Sequence, residues 1–123
     1  MNGNVRFLLD TNVLIGMLAQ TPVALALLRG HGATTANSGY SAITRMELLG
    51  FPAITPPEIQ RIAALLAKIT RYALIAEIED EAISLRRSAR IKLPDAIILA
   101  TAKVHKLVLL TLDQRLAALA SAP

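Results

Sequence analysis

The sequence predicts an α/β fold: a parallel sheet covered by helices on both faces. Three observations point there. Apolar runs of strand length alternate along the chain with runs of helical period. The first of them, Val5 to Leu9, is apolar apart from Arg6 and has the character of a strand buried on both sides. It stops at Asp10-Thr11-Asn12, and apolar sequence resumes at Val13-Leu14-Ile15. A carboxylate between two such segments is costly to bury unless something stabilises its charge. It belongs where the first strand ends and a helix begins, the edge at which ligands bind in open α/β sheets. Third, Pro94 opens a segment that is almost wholly apolar through Ala102, as a central helix would be.

The elements follow in order. Thr11 to Ala19 reads as a helix and Pro22 to Arg29 as another, with Gly30 and Gly32 as stops. Residues 31–39 are the most loop-like segment. Tyr40 to Ile43 reads as a short strand, and Thr44 to Leu49 as a helix ended by Gly50 and Pro52. Thr55-Pro56-Pro57-Glu58 is a helix start, with Thr55 as cap, Pro56 in the first turn and Glu58 completing a capping box. Ile59, Ile62, Ala63, Leu66 and Ile69 then recur at helical spacing. Tyr72 to Ala76 reads as a strand, Glu79 to Arg90 as a charged helix and Pro94 to His105 as the central helix. Leu107 to Leu112 is the fourth strand, and Gln114 to Ala120 a closing helix.

A chain of 123 residues suits one domain with a real core. Hydrophobic residues make up 54%, which is apolar for a lone small domain and points to a buried oligomer or partner surface. With no cysteine, disulfides, thiolate metal sites and cysteine nucleophiles are excluded. Asp10-Thr11-Asn12 interrupts a run otherwise resembling a signal peptide, and no run approaches the ~20 apolar residues of a membrane span. The expectation is a cytoplasmic protein. A net charge of +4 permits nucleic-acid contact.

Of nine acidic residues, five have plain uses. Glu58 caps, and Glu77, Glu79, Asp80 and Glu81 favour the dipole of the charged helix. Asp10, Glu47, Asp95 and Asp113 remain, each beside apolar sequence. Each alone has an ordinary use: Asp10 and Asp113 as helix caps, Glu47 as a solvated helix residue, Asp95 as a dipole partner. Together they fall where strands end and helices begin, on one edge of a parallel sheet. A cluster of this kind repels itself unless cations neutralise it.

Carboxylates without Cys or a neighbouring His suit a hard cation, Mg²⁺ or Mn²⁺. Such an ion polarises a phosphoryl oxygen and lowers the pKa of a water, which is what phosphodiester hydrolysis needs. Asp10 and Asp95 are assigned as principal ligands, with Glu47 and Asp113 completing the site directly or through water. Asn12, Ser41, Thr44 and Thr111 are short polar groups placed to orient those carboxylates.

The stretches LLDTNVLI, YSAITRMELL, LPDAIILATA and LVLLTLDQRL resemble, in order and spacing, the motifs of the PIN-domain family, and more narrowly of VapBC-type toxin ribonucleases. The resemblance runs from about Phe7 to Leu116. It implies a single nuclease domain over residues 1–123. The implied fold is a three-layer α/β sandwich whose mostly parallel sheet has four to five strands. It further implies a Mg²⁺-dependent endoribonuclease with Asp10, Glu47, Asp95 and Asp113 as acidic residues. The implied partners are an RNA substrate, a cognate antitoxin whose C-terminal segment lies over the active-site cleft, and a second toxin copy in a homodimer or hetero-oligomer.

Arg86, Arg87, Arg90 and Lys92 form the densest basic group, read either as contacts for RNA or antitoxin or as a solvated helix face. Arg45, beside the second motif, can reach substrate. His31 and His105 have no partner pattern. Aromatics, at 3%, offer little surface for stacking unpaired bases. Three alternatives stay open: a non-toxin RNA-processing nuclease of the same family, a catalytically silent RNA- or partner-binding subunit, and a phosphate-accepting switch. The last normally pairs acids near the first strand, whereas here Thr11 follows Asp10.

Overall fold

The computed structural model describes residues 4–122. The first strand, β1 (Phe7–Leu9), leads directly into α1 (Thr11–Ala19), and α2 (Pro22–His31) follows. A single 3₁₀ turn, Thr35–Asn37, precedes β2 (Ser38–Ser41) and α3 (Ala42–Leu49). Then come α4 (Pro56–Leu66), β3 (Thr70–Tyr72), α5 (Ala76–Ala89), α6 (Leu93–His105), β4 (Val108–Leu110) and α7 (Gln114–Ser121). The four strands form one parallel sheet in the order β3-β2-β1-β4. The sequence-based expectation of four to five mostly parallel strands resolves, among the described residues, to four, all parallel.

Side chains alternate across the pleat of β1 and divide the core in two. Leu8 joins Leu109 and packs with Ile78 and Ala82 of α5, the length of α6, and Leu116 of α7. Phe7, Leu9 and Leu110 join Val13 and Leu14 of α1, Leu28 of α2, Leu48 of α3 and Ile62 and Leu66 of α4. Residues 96–102 of α6 are all buried, which makes it the central helix its composition suggests. No single helix among the described residues is long and apolar enough to cross a membrane.

The capping box forms as expected: Thr55 N donates to Glu58 Oε1 at 3.0 Å and Glu58 N to Thr55 Oγ1 at 3.4 Å. Several boundaries differ from the expectation. β2 begins at Ser38, inside the segment read as loop, and Ala42 and Ile43 belong to α3. Ser38 and Gly39 look like turn residues, but they pair with Phe7 and Leu8 in the sheet. Gly39 is needed for close approach: a Cβ there would lie 2.5 Å from the ring of Tyr72. β3 ends at Tyr72, and α5 starts at Ala76, before the acidic cluster. Only Phe7–Leu9 and Val108–Leu110 of the longer first and fourth apolar runs pair as strand. α2 runs through Gly30 and stops at Gly32, whose φ of 69° suits glycine.

Gly16 sets the approach of α1 to α2. A Cβ there would fall 2.4 Å from Ala24 Cβ and 2.9 Å from Thr21 Oγ1. Gly16→Ala is therefore expected to destabilise by about 1–3 kcal/mol, a melting temperature roughly 4–12 °C lower, although alanine is the better helix former. An unchanged melting curve would show that the two helices can separate freely.

Candidate active site

The strand order reverses between β1 and β4: β2 and β3 lie to one side of β1, and β4 to the other. That is the switch point at which a crevice opens at the strands' C-terminal ends. Asp10 follows β1 there, and its backbone N–H donates to Leu110 O at the end of β4 at 2.9 Å.

Asp10 is the N-cap of α1, and its Oδ1 accepts from Thr11 N at 2.7 Å. Its Oδ2 accepts from the Thr111 hydroxyl at 2.7 Å. The side chain is 5% exposed, so both oxygens are held by neutral donors in a site nearly closed to water. Burial raises its pKa above the ordinary carboxylate value. The Thr111 and Thr11 hydrogen bonds oppose that rise, and the charges of Asp95 and Glu47 add to it. Capping and membership of the acidic group are thus compatible uses of one residue.

Asp95 lies in the first turn of α6 and is half-buried. Burial raises its pKa, Asp113 raises it further, and Lys92 and Arg115 pull it down. Glu47 is exposed on α3, and its Oε1 accepts from Thr11 Oγ1 at 2.7 Å. Asp113 lies three residues beyond the end of β4 and caps α7, its Oδ1 accepting from Leu116 N at 3.1 Å. The four acids thus influence one another across the ends of β1 and β4 and the starts of α6 and α7; Glu47, expected near a helix start, reaches the group from the second half of α3. Among the described residues, however, no group of three Asp, Glu or His side chains is arranged to hold a cation directly.

Thr111 is the hub on one side of Asp10. Besides donating to Asp10, its oxygen accepts from Asp113 N at 3.0 Å and from Asn12 Nδ2 at 3.4 Å. Asn12 Oδ1 in turn accepts from Leu112 N at 3.2 Å. Thr44, fully buried, lies 2.9 Å from Thr11 Oγ1. Thr11 gives its one hydroxyl proton to Glu47, so Thr44 is the donor in that pair. Ser41, expected among the orienting groups, caps α3 by accepting from Ile43 N at 3.3 Å.

Thr11 itself was absent from the sequence-derived candidates. The signal was its place in the D-T-N triplet, but its acceptor lies 36 residues away and its donor 33. Thr11→Val keeps the shape and removes the hydroxyl that holds Glu47. We expect it to lower metal affinity or turnover by about 10- to 100-fold, since groups that orient ligands carry effects of that size. Isothermal titration of a divalent cation checks this; an unaltered affinity together with unaltered turnover would make the Thr11–Glu47 bond incidental.

Among the five basic candidates, Lys92 acts on an acid of the site, Asp95. Arg86 and Arg87 are exposed on α5, Arg90 caps that helix and Arg45 is exposed on α3. Arg115, not singled out from sequence, also acts on Asp95, and its Nη2 donates to Ala89 O at the end of α5 at 2.6 Å. His31 packs edge-on to Phe7, and His105 lies 4.4 Å from the Tyr72 ring centre. An apolar groove of about 330 Å³ lies between α1, α3 and α4. Ile15, Leu18, Leu48, Phe51 and Ile54 line it, and Glu47 borders it.

A four-stranded parallel sheet between helical layers, with carboxylates gathered at its switch point, defines an α/β protein with an acidic crevice at the strands' C-terminal ends. The chain belongs to the PIN domain family, whose model matches residues 7–122. Members of that family are generally nucleases that use divalent metals. Solved structures agree. A chain of a toxin–antitoxin complex from Klebsiella pneumoniae is 33% identical, with a TM-score of 0.75 over 88% of this chain and 87% of that one. FitAcB from Neisseria gonorrhoeae is 28% identical, with a TM-score of 0.70 over 94% of each chain. VapBC2 from Rickettsia felis, bound to a DNA fragment from its promoter, is 17% identical with a TM-score of 0.72 over 90% of each chain, and shares the fold. No match to a curated protein sequence is found.

Proposed function

We propose that the chain is a Mg²⁺-dependent endoribonuclease, with Mn²⁺ as a substitute, and the toxin of a type II toxin–antitoxin pair. The observation that carries this is Asp10: a buried carboxylate at the switch point, held by neutral donors and pressed by the charges of Asp95 and Glu47. Such a group fits an all-oxygen cation site. Among the described residues no three acids are arranged to hold an ion directly, and Mg²⁺ does not require such a group. This ion keeps several waters and takes only one or two carboxylates. Asp10 and Asp95 suit direct contact, and Glu47 and Asp113, each held by its own hydrogen bond, suit contact through water. When bound, the cation polarises the phosphoryl oxygen and acidifies a water molecule.

The chain's own groups do the rest. Thr111 and Thr11 N fix both Asp10 oxygens. Glu47, exposed and oriented by Thr11, is able to take a proton from an attacking water. Lys92 and Arg115, on the Asp95 side, supply positive charge for RNA phosphates that the acids would otherwise repel. The antitoxin suits the groove between α1, α3 and α4: apolar side chains for Phe51 and Ile54, a basic one for Glu47. The protein works in the cytoplasm as a homodimer or with its antitoxin as a hetero-oligomer.

Total cellular RNA incubated with the purified chain tests the reading. Discrete cuts are expected with Mg²⁺ or Mn²⁺ and none after chelation. RNA that stays whole with either ion, or cuts that persist in chelator, would refute it.

A further inference from the structure

Arg115 makes a contact that the proposed chemistry does not call for. It stands in the first turn of α7, two residues after the cap Asp113, and its neighbour Leu116 is buried in the core with α6. From that fixed base its side chain crosses to the end of α5, where Nη2 donates to Ala89 O at 2.6 Å. Arg90 to Lys92 then turn the chain from α5 into α6, and Asp95 follows in the first turn of α6. This turn has little local support. The left-handed caps of α1 and α6, Gln20 and Lys106, return their own backbone N–H to carbonyls of the last turn. Among the described residues, Arg90, at φ 54°, makes no such bond at the end of α5. At the other end of the turn, Lys92 caps α6 without a side-chain hydrogen bond. The last carbonyls of a helix need donors from elsewhere, and Arg115 brings one from 26 residues away. Buried Ile91 is the turn's apolar anchor.

We propose that Arg115 is a positioning residue for Asp95: by tying the end of α5 to α7, it fixes the α5–α6 turn and with it the place of the Asp95 carboxylate relative to Asp10 and Asp113. A guanidinium suits the task, because its planar fork holds a carbonyl in one direction and leaves further donors free. The inference rests on the cation site of the functional reading above, with which it shares Asp95. Charge and position predict opposite signs for the loss of Arg115. It is a cation near the acids and pulls the pKa of Asp95 down. Removing a positive charge beside an acidic site would by itself strengthen the binding of another cation. Loss of a fixed Asp95 weakens it.

Mn²⁺ alone, titrated by calorimetry into the whole chain, reads that sign. Arg115→Met keeps the aliphatic stem at an exposed position, so the native far-ultraviolet circular dichroism should persist. It is expected to lower Mn²⁺ affinity by about 10- to 100-fold, the size of effect that ligand-orienting groups carry. Amide hydrogen exchange is the second arm. Across residues 90–96 the variant is expected to exchange roughly 2- to 10-fold faster than the native chain, as the loss of one hydrogen bond implies, with β1 unaltered. Mn²⁺ affinity that is unchanged or higher in the variant, or exchange across 90–96 at the native rate, would overturn the proposal. If the native chain binds no Mn²⁺, the cation reading fails, and the exchange arm alone decides: faster exchange supports a turn set by Arg115, and native exchange overturns it. Both arms are read without RNA, so any contact of Arg115 with phosphate does not enter.

Discussion

Asp10→Asn is expected to abolish RNA cleavage, a loss of at least about 10³-fold in kcat/KM, while the protein stays folded. Charge stabilisation by a catalytic metal amounts to several kcal/mol, and each ~1.4 kcal/mol is tenfold in rate. The amide keeps an oxygen for Thr11 N but presents a donor where the Thr111 hydroxyl now donates. Two opposing effects then act on stability. A desolvated charge is removed, which stabilises; a charge-assisted hydrogen bond of about 1.5–3 kcal/mol is lost, which destabilises. The melting temperature should therefore move by only a few degrees while activity collapses, a combination that a merely structural Asp10 would not give. Glu77→Gln, at the exposed start of α5, should leave cleavage at the native rate. Cleavage by Asp10→Asn within tenfold of native would remove Asp10 from the chemistry and the central support of the proposed function with it.

Why Asp10 was legible from sequence, and Thr11 and Arg115 were not, has a physical basis. A carboxylate flanked by apolar runs is costly wherever it is buried, so its position stands out without any structure. The same holds for Asp95 after Pro94, and the capping box at Thr55 is legible because both its partners lie within four residues. Thr11 and Arg115 are ordinary residue types in ordinary positions. Their roles come from partners far along the chain: Glu47 for Thr11, and the carbonyl of Ala89 together with Asp95 for Arg115. No local pattern records such a meeting. The same distinction explains the misplaced start of β2. Ser38 and Gly39 have turn propensity, but pairing with β1 and the fit of Gly39 against Tyr72 decide their state. Asp113 was expected at a strand end and lies three residues past it, because the chain pairs with β1 only through Leu110 and then turns through Thr111 and Leu112 into α7.

Divalent cations are expected to raise the melting temperature of the metal-free protein at neutral pH by roughly 8–16 °C at about 100 times their Kd, which corresponds to about 2.7 kcal/mol. The pH dependence fixes the source. Burial holds Asp10 and Asp95 above the ordinary carboxylate value of 3.8 in the folded protein. The folded state therefore takes up protons at higher pH than the unfolded chain does, and stability falls as pH rises through that window. For the metal-free protein these two groups cost stability in full above their folded-state pKa. Acidification relieves the cost progressively, and the relief is complete below about 3.8. Glu58 acts in the opposite sense, its pKa lowered by the Thr55 hydroxyl and amide, so the raw melting profile mixes both signs. The difference between native protein and Asp10→Asn, taken at each pH, cancels Glu58 and isolates Asp10. That difference should shift in favour of the native chain as pH falls. Over the same window the cation's effect should fade, because protons compete for the same oxygens. A cation effect that persists at acid pH, or that is undiminished in Asp10→Asn, would mean that the ion binds elsewhere.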